Sequence, residues 1–196
     1  MITLCMDTSH IYLVLALIRD DAVIGKIQEP CWKKQSEEIF PKLQELMDQT
    51  GTAPQDIDQI VITKGPGSYT GVRIAMTVAK VFCAMKDIPL YTVGTLQLYA
   101  GNRTCRVLTD ARGKRAYTCV FENGRAVEEP HAEELAQIPA DEDLPVIGDG
   151  HLISREDCWP DLAENFLAVK ENWEKAESVH TVVPEYLKSS QAYLLK

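Results

Sequence analysis

The feature that most constrains this chain is a pattern of short apolar runs and turns that opens each of its halves. The runs have strand length and are separated by turn-forming clusters, which predicts a meander of three antiparallel strands in each half. The six predicted strands are 2–6, 12–18, 22–28, 106–109, 116–121 and 125–128. Because the same unit begins both halves, we predict a duplicated α/β architecture with lobes at 1–102 and 103–196.

Helices and further strands are predicted after each meander. Apolar residues recur at helical spacing after Ser36, which predicts a helix that either begins at Pro41 or is kinked there. The other predicted elements are a strand at 59–63, a helix at 72–86, a strand at 89–93, helices at 96–100 and 131–137, a strand at 145–147, a helix around 160–166 and a short strand at 167–169.

The predicted helix 72–86 is apolar almost all round. Only Arg73, Thr77, Lys80 and Lys86 are polar, whereas a surface helix of a globular protein needs a polar face. Full burial of such a helix is hard to arrange in so short a chain, so we expect part of it to contact another polypeptide.

The predicted contact combines this helix with the amphipathic helix before it. Small residues on helix 72–86 would let a partner approach closely. The residues predicted to form the partner interface are Phe40, Leu43, Met47, Val72, Met76, Ala79, Lys80 and Cys83.

A glycine-rich turn precedes helix 72–86. Its motif residues are Gly65, Pro66, Gly67, Ser68, Thr70, Gly71 and Arg73. Such a turn between a strand and a helix can bind phosphate through exposed N–H groups, but the lysine of a P-loop is missing here. A structural turn, in which Ser68 or Thr70 caps the helix, is favoured over anion binding.

Asp7 and Asp110 occupy similar places, each at the end of the first strand of its half. Acids at such positions can hold a metal-nucleotide when glycine-rich hairpins follow them. Here only the second acid is followed by a glycine, so we interpret the pair as a degenerate nucleotide site. The four histidines are too dispersed for a metal motif, and no metal site is predicted.

Composition restricts the environment and the partners. The formal net charge is −9, and residues 101–196 carry 11 Lys+Arg against 18 Asp+Glu, a net of −7, which disfavours direct RNA binding. No apolar stretch reaches the roughly 20 residues that span a membrane. The six cysteines are scattered, which fits a reducing cytoplasm.

Motifs along the whole chain resemble the TsaB family. MITLCMDTS matches the family's opening strand and Asp-Thr-Ser, and QSEEIFPKLQELM is similar to its His-Ser-Glu-x-Leu-Leu-Pro helix, with Gln35 in place of histidine. IVITKGPGSYTGVRIAMTVAK resembles its most specific signature, with Tyr69 for Phe and Val72 for Leu. DARGKRAYTCVF, GDG and VVPEYLK match the remaining landmarks, with Lys188 where Arg is common.

This resemblance implies the actin/hexokinase/Hsp70-like (ASKHA) fold with two RNase H-like lobes. It implies a non-catalytic subunit that pairs with the catalytic subunit TsaD and the ATPase TsaE to support threonylcarbamoyl transfer to N6 of the tRNA adenosine next to the anticodon. ATP and magnesium are then handled by the partners, tRNA is met only through the complex, and the first-lobe helices make the subunit contact. A homodimer is expected when the chain is alone.

Two alternatives remain open at this point. The chain could be a stand-alone kinase or ATPase of the same fold, with Asp7 and Asp110 holding magnesium. It could also be a protease, although no protease constellation is visible in the sequence.

Overall fold

The structure is a computed structural model that describes residues 1–31, 33–140 and 143–187. The predicted landmark at Lys188 lies outside the described residues. In chain order the strands are β1 (Ile2–Asp7), β2 (Tyr12–Arg19), β3 (Ala22–Pro30), β4 (Gln59–Thr63), β5 (Leu90–Val93), β6 (Cys105–Asp110), β7 (Arg115–Glu122), β8 (Arg125–Ala126), β9 (His131–Glu134), β10 (Val146–Gly148) and β11 (Glu174–Lys175). The helices are α1 (Gln35–Thr50), α2 (Gly71–Lys86), α3 (Thr95–Ala100) and α4 (Leu162–Ala168).

The described strands form two mixed sheets. In the first, the order is β11-β5-β4-β1-β2-β3, with β1, β2 and β3 antiparallel and β4 and β5 parallel to β1. In the second, the order is β10-β6-β7-β8, with β9 paired to β7 and β10 parallel to β6. Each sheet therefore opens with the predicted meander, and the predicted α/β architecture is confirmed.

The first sheet is buried on both faces. Along β2, Leu13, Leu15 and Leu17 point to one core, which contains the inner faces of α1 and α2. The residues between them, such as Val14 and Ala16, point to a second core shared with α3, α4 and the second sheet. Side chains alternate across a strand, so burial on both sides explains why β2 is apolar at almost every position.

Two local predictions need correction, and one of the two alternatives for Pro41 is excluded. Residues 131–137 form β9 and a 3₁₀ turn (Leu135–Gln137), because His131–Glu134 pairs with β7 and this pairing satisfies its backbone groups. The segment predicted as a strand at 167–169 lies at the end of α4. Pro41 lies inside α1, which begins at Gln35, so it is not the first helical residue.

The C-terminal segment returns to the first sheet. A division after residue 102 separates the described strands of the two sheets, with the exception of β11. This strand follows the division in sequence but pairs with β5 of the first sheet. Beyond it, Glu185 N–H donates to the Lys64 carbonyl at 2.7 Å. We call residues 176–187 the C-terminal strap, because they run back beside β4 and α2.

Candidate partner-binding surface

The glycine-rich turn uses its own N–H groups. Ser68 N–H donates to the Ser9 carbonyl at 2.7 Å, and Gly71 N–H donates to Ser68 Oγ at 3.2 Å. Val72 N–H donates to the Ser68 carbonyl at 3.0 Å. Ser68 is therefore the capping residue, whereas Thr70 makes no side-chain cap. These bonds tie the turn to the end of β1 and to the start of α2, which supports its structural interpretation.

Close packing explains the glycines. A Cβ built on Gly71 would lie 2.2 Å from the Thr8 carbonyl oxygen, and one on Gly67 would lie 2.6 Å from that of Ser9. The Thr8 hydroxyl donates to the Gly71 carbonyl at 2.6 Å and accepts from Ala75 N–H at 3.1 Å. The turn is thereby held against the end of β1, and it fixes where α2 begins.

Asp7 is fully buried at the end of β1. Its Oδ1 accepts hydrogen bonds from Ser9 N–H at 2.9 Å and the Thr63 hydroxyl at 2.5 Å, and its Oδ2 accepts one from the Tyr99 hydroxyl at 3.3 Å. Both oxygens are thus engaged by the chain itself and shielded from solvent. The surroundings of Asp7 do not fit a metal-nucleotide, and we assign this acid a structural role.

Asp110 is exposed at the end of β6 and has different neighbours. Its carboxylate accepts from Arg112 N–H at 2.7 Å, and its own N–H donates to Asp149 Oδ2 at 2.7 Å. Asp149 also lies 2.9 Å from His10 Nε2 in the first lobe. The two predicted acids therefore do not share a ligand set, and it is Asp149, which sequence reasoning missed, that joins the ends of the two predicted lobes at this point.

A second acidic cluster lies beside this bridge. Asp149, His151 and Asp157 bring three potential ligand atoms within 4.8 Å of one another. Asp157 is already engaged, because its Oδ1 lies 2.8 Å from His151 Nδ1 and accepts from His151 N–H at 2.9 Å. The side-chain hydrogen bond raises the pKa of His151, whereas the bond from the His151 backbone N–H is the main cause that lowers the pKa of Asp157.

The histidines do not form a nucleophile pair. Within the residues described, no histidine ring is hydrogen-bonded to a serine or cysteine: His10 and His151 contact carboxylates, and His131 contacts the Glu129 carbonyl. A hydrolase triad requires such a bond between base and nucleophile.

A large apolar groove runs between α1 and α2. Its volume is about 790 Å³. It is lined by Ser36, Ile39, Phe40, Leu43, Gln44, Met47, Pro54, Tyr69, Thr70, Arg73, Ile74, Thr77, Val78, Val81, Phe82 and Met85. Large side chains on its walls remain open to solvent: Phe40 is 62% exposed, Val81 55% and Met85 82%. An apolar patch of this kind marks an interaction site.

The groove confirms that α2 has more apolar surface than its own chain covers, but the exposed face is not the predicted one. Most predicted interface residues are buried in the core beneath α1 and α2; these are Leu43, Met47, Val72, Met76, Ala79 and Cys83. Of the predicted set, Phe40 is the exposed groove residue. Leu43 and Met47 contribute only the floor of the groove.

The reason for this correction is the size of the side chains. Ala75 and Ala79 are fully buried and allow α2 to lie close to the first sheet, whereas they were expected to allow close approach of a partner. The outward stripe was missed: it consists of Ile74, Val78, Val81, Phe82 and Met85. The sizes of the side chains could have revealed this outward stripe, because a helix that packs closely on a sheet places its small residues at the contact.

Lys80 also faces away from the groove. Its Nζ donates to the His180 carbonyl at 3.1 Å and to the Val182 carbonyl at 3.0 Å. Lys80 therefore fastens the C-terminal strap to α2.

One end of the groove carries an arginine beside two stacked aromatic rings. The Arg73 guanidinium lies 3.9 Å from the centroid of the Tyr69 ring and 5.6 Å from that of Tyr186, and the two rings stack at 5.5 Å. A hydrogen bond to Tyr69 is the main factor that raises the pKa of Arg73. Tyr186 comes from the strap, so the strap contacts the groove residues at this end.

The described residues contain no helix that combines the length and apolar character needed to cross a membrane.

The two meander-opened mixed sheets, with helices packed between and outside them, define an α/β protein of the ASKHA-like class. Among solved structures, YeaZ from Pseudomonas aeruginosa matches with a TM-score of 0.75 and 20% identity, covering 95% of this chain and 99% of that one. A second P. aeruginosa protein, described as similar to peptidase YEAZ, matches with a TM-score of 0.78 and 22% identity over the same shares. These likenesses establish the fold.

Sequence comparisons establish the family. The family model of TsaD, tRNA N6-adenosine threonylcarbamoyltransferase, matches residues 27–148. The tRNA threonylcarbamoyladenosine biosynthesis protein TsaB of Bacillus subtilis is 30% identical over 98% of this chain and 96% of its own length. The Escherichia coli protein of the same name is 32% identical over 62% of this chain and 56% of its own. This chain belongs to the TsaB family.

Proposed function

We propose that this chain is a non-catalytic subunit in the biosynthesis of threonylcarbamoyladenosine in tRNA. It acts by pairing with a TsaD-like catalytic subunit through the groove between α1 and α2. The observation that carries the proposal is the open apolar groove, with Phe40, Val81 and Met85 on its walls. Specific interfaces bury about 800 Å² per partner, which two adjacent four-turn helices can supply.

The family supports the pathway in this proposal. The B. subtilis relative, similar along nearly the full length of both chains, is named for this biosynthesis. The match to the TsaD family model indicates that chain and proposed partner share a fold over residues 27–148. Two related subunits can therefore present comparable helical faces to each other.

The absence of catalysis is supported by Asp7 and by the histidines. Asp7 is buried with both carboxylate oxygens hydrogen-bonded, and no described histidine activates a serine or cysteine. ATP and magnesium are accordingly handled by the TsaD-like subunit and a TsaE-like ATPase. The second half of the chain is acidic and repels the phosphates of tRNA, so tRNA is bound only through the complex. The complex acts in the cytoplasm.

A second copy of this chain covers the groove when the TsaD-like subunit is absent. The open groove would otherwise keep a large apolar surface in contact with water. The partner then displaces this copy, so heterodimer formation competes with homodimer formation. Sedimentation of the chain alone, and after addition of the partner, measures this exchange.

Reconstitution from purified subunits tests the function. Transfer of the threonylcarbamoyl group to tRNA should require this chain and return when it is restored. Val81→Glu should abolish both pairing and rescue, because a charge buried in an interface without a partner is strongly unfavourable. Val127→Glu is the matched control, since Val127 is 52% exposed in the second lobe, away from the groove.

The isolated chain should neither bind Mg-ATP tightly nor hydrolyse it. Calorimetry and a phosphate-release assay measure this directly. Turnover by the chain alone, lost on replacement of Asp7 or Asp110, would contradict the non-catalytic role and favour a kinase or ATPase.

A further inference from the structure

The charge of the groove is concentrated in one residue. Of its sixteen lining residues, Arg73 is the only one that carries a charge. Among the residues that the structure describes, no Asp or Glu forms an ion pair with it. An apolar partner surface laid over this groove would therefore bring an uncompensated cation into the interface, which is unfavourable unless the partner supplies an anion.

The guanidinium is held in place before any partner arrives. Its position 3.9 Å from the Tyr69 ring centroid and 5.6 Å from that of Tyr186, with hydrogen bonds to both side chains, restricts a side chain that is otherwise flexible. Stacked arginines keep the edge of their planar fork available for two parallel hydrogen bonds to a carboxylate. Preorganisation lowers the entropy cost of forming such a pair.

Three backbone N–H groups at the start of α2 are already engaged within the turn. Arg73 N–H donates to the Thr70 carbonyl at 3.2 Å, and the N–H groups of Gly71 and Val72 are bonded to Ser68. The guanidinium has five N–H donors, so its hydrogen bonds to Tyr69 and Tyr186 leave donors for a ligand. A side-chain carboxylate set among apolar residues is the chemistry that matches both the cation and the adjoining surface.

We propose that Arg73, held by Tyr69 and Tyr186, binds a carboxylate of the partner subunit and fixes the register of the helices in the groove. The partner surface is then an apolar helical face with one Asp or Glu near the end that meets the glycine-rich turn. This inference rests on the proposed pairing and adds to it the chemistry of the contact.

The test measures the affinity of this chain for the TsaD-like subunit, at low and at high salt. Arg73→Gln should weaken binding about 10- to 100-fold, and Arg73→Lys should fall between, because lysine keeps the charge but not the fork. Arg125→Gln removes the same charge from exposed β8 and should leave affinity unchanged. Tyr186→Leu should weaken binding less than Arg73→Gln.

The partner's carboxylate is identified by a double-mutant cycle. Each Asp and Glu on the apolar face of the TsaD-like subunit is changed to its amide. One of these changes should cost nothing further when combined with Arg73→Gln. Binding by the wild-type chain and loss of binding in Val81→Glu would support the proposed pairing. If Arg73→Gln nevertheless binds normally, or if no acid of the partner couples to Arg73, this inference is wrong and the proposed function stands. If the wild-type chain does not bind the TsaD-like subunit, the proposed function itself fails.

Discussion

Two glutamate substitutions placed two residues apart on α2 should have opposite consequences. Ala79 is fully buried against the first sheet, whereas Val81 is 55% exposed in the groove. Ala79→Glu forces a larger and ionisable side chain into a closed core, and an uncompensated buried charge of this kind costs about 3–5 kcal/mol. For a chain of this size, each kcal/mol lowers Tm by about 2–4 °C, so the expected loss is about 6–20 °C.

Val81→Glu should leave the free chain almost as stable as the wild type. Exposed substitutions of this kind usually change stability by less than about 0.5 kcal/mol, which is about 1–2 °C here. Thermal unfolding followed by circular dichroism measures both variants, and binding to the TsaD-like subunit is measured at a temperature where both are folded. The reasoning fails if Ala79→Glu melts like the wild type, or if Val81→Glu is the variant that unfolds.

Other features of the structure give further expected outcomes. Gly71→Ala should lower the free energy of unfolding by about 1–3 kcal/mol in denaturant titrations, because its Cβ would lie 2.2 Å from the Thr8 carbonyl oxygen; equal stability would contradict the packing. The hydrogen bond that raises the pKa of His151 stabilises the fold fully at pH values below the unfolded pKa, and this contribution is lost as pH rises through the folded pKa. Asp157→Asn should therefore move the His151 titration in NMR spectra towards its ordinary range, and an unchanged titration would refute the pairing. At pH 8 a thiol reagent should modify the exposed Cys158 first. Burial raises the pKa to about 11 for Cys83 and Cys105 and to about 12 for Cys119. Rapid modification of these three buried thiols would contradict the packing of the core.

The two meanders could be predicted because their strands are long relative to their turns. β1 and β2 are continuous apolar runs, and the clusters that follow them are rich in Asp, Thr and Ser. The glycine-rich turn could likewise be placed between β4 and α2. Its structural role could be predicted because the sequence has glycines and a capping residue there but lacks the lysine of a P-loop. What the sequence could not show was that Thr8 and Ser9 are the groups against which the glycines pack.

The errors in the second lobe come from short elements. β9 has four residues and is held by pairing with β7, a contact far away in sequence that no local periodicity encodes. β11 has two residues and was missed for the same reason. Helix propensity is a weak signal over such lengths, and pairing with an existing strand overrides it.

The interface residues were misplaced because a helix with two apolar faces gives no unique direction. Periodicity identifies both stripes of α2 but does not tell which one meets the first sheet. The structure decides in favour of the stripe with Ala75 and Ala79, and leaves Val81 and Met85 outside. The sequence prediction of an excess of apolar surface was sound, and only its orientation required coordinates.

Because the C-terminal strap finishes the first lobe, the order of synthesis matters for this protein. A nascent chain that has left the ribosome only as far as β10 lacks both β11, which covers the edge of β5, and Tyr186, which stacks on Tyr69. Such a chain exposes an unpaired strand edge in addition to the apolar groove, a combination prone to aggregation.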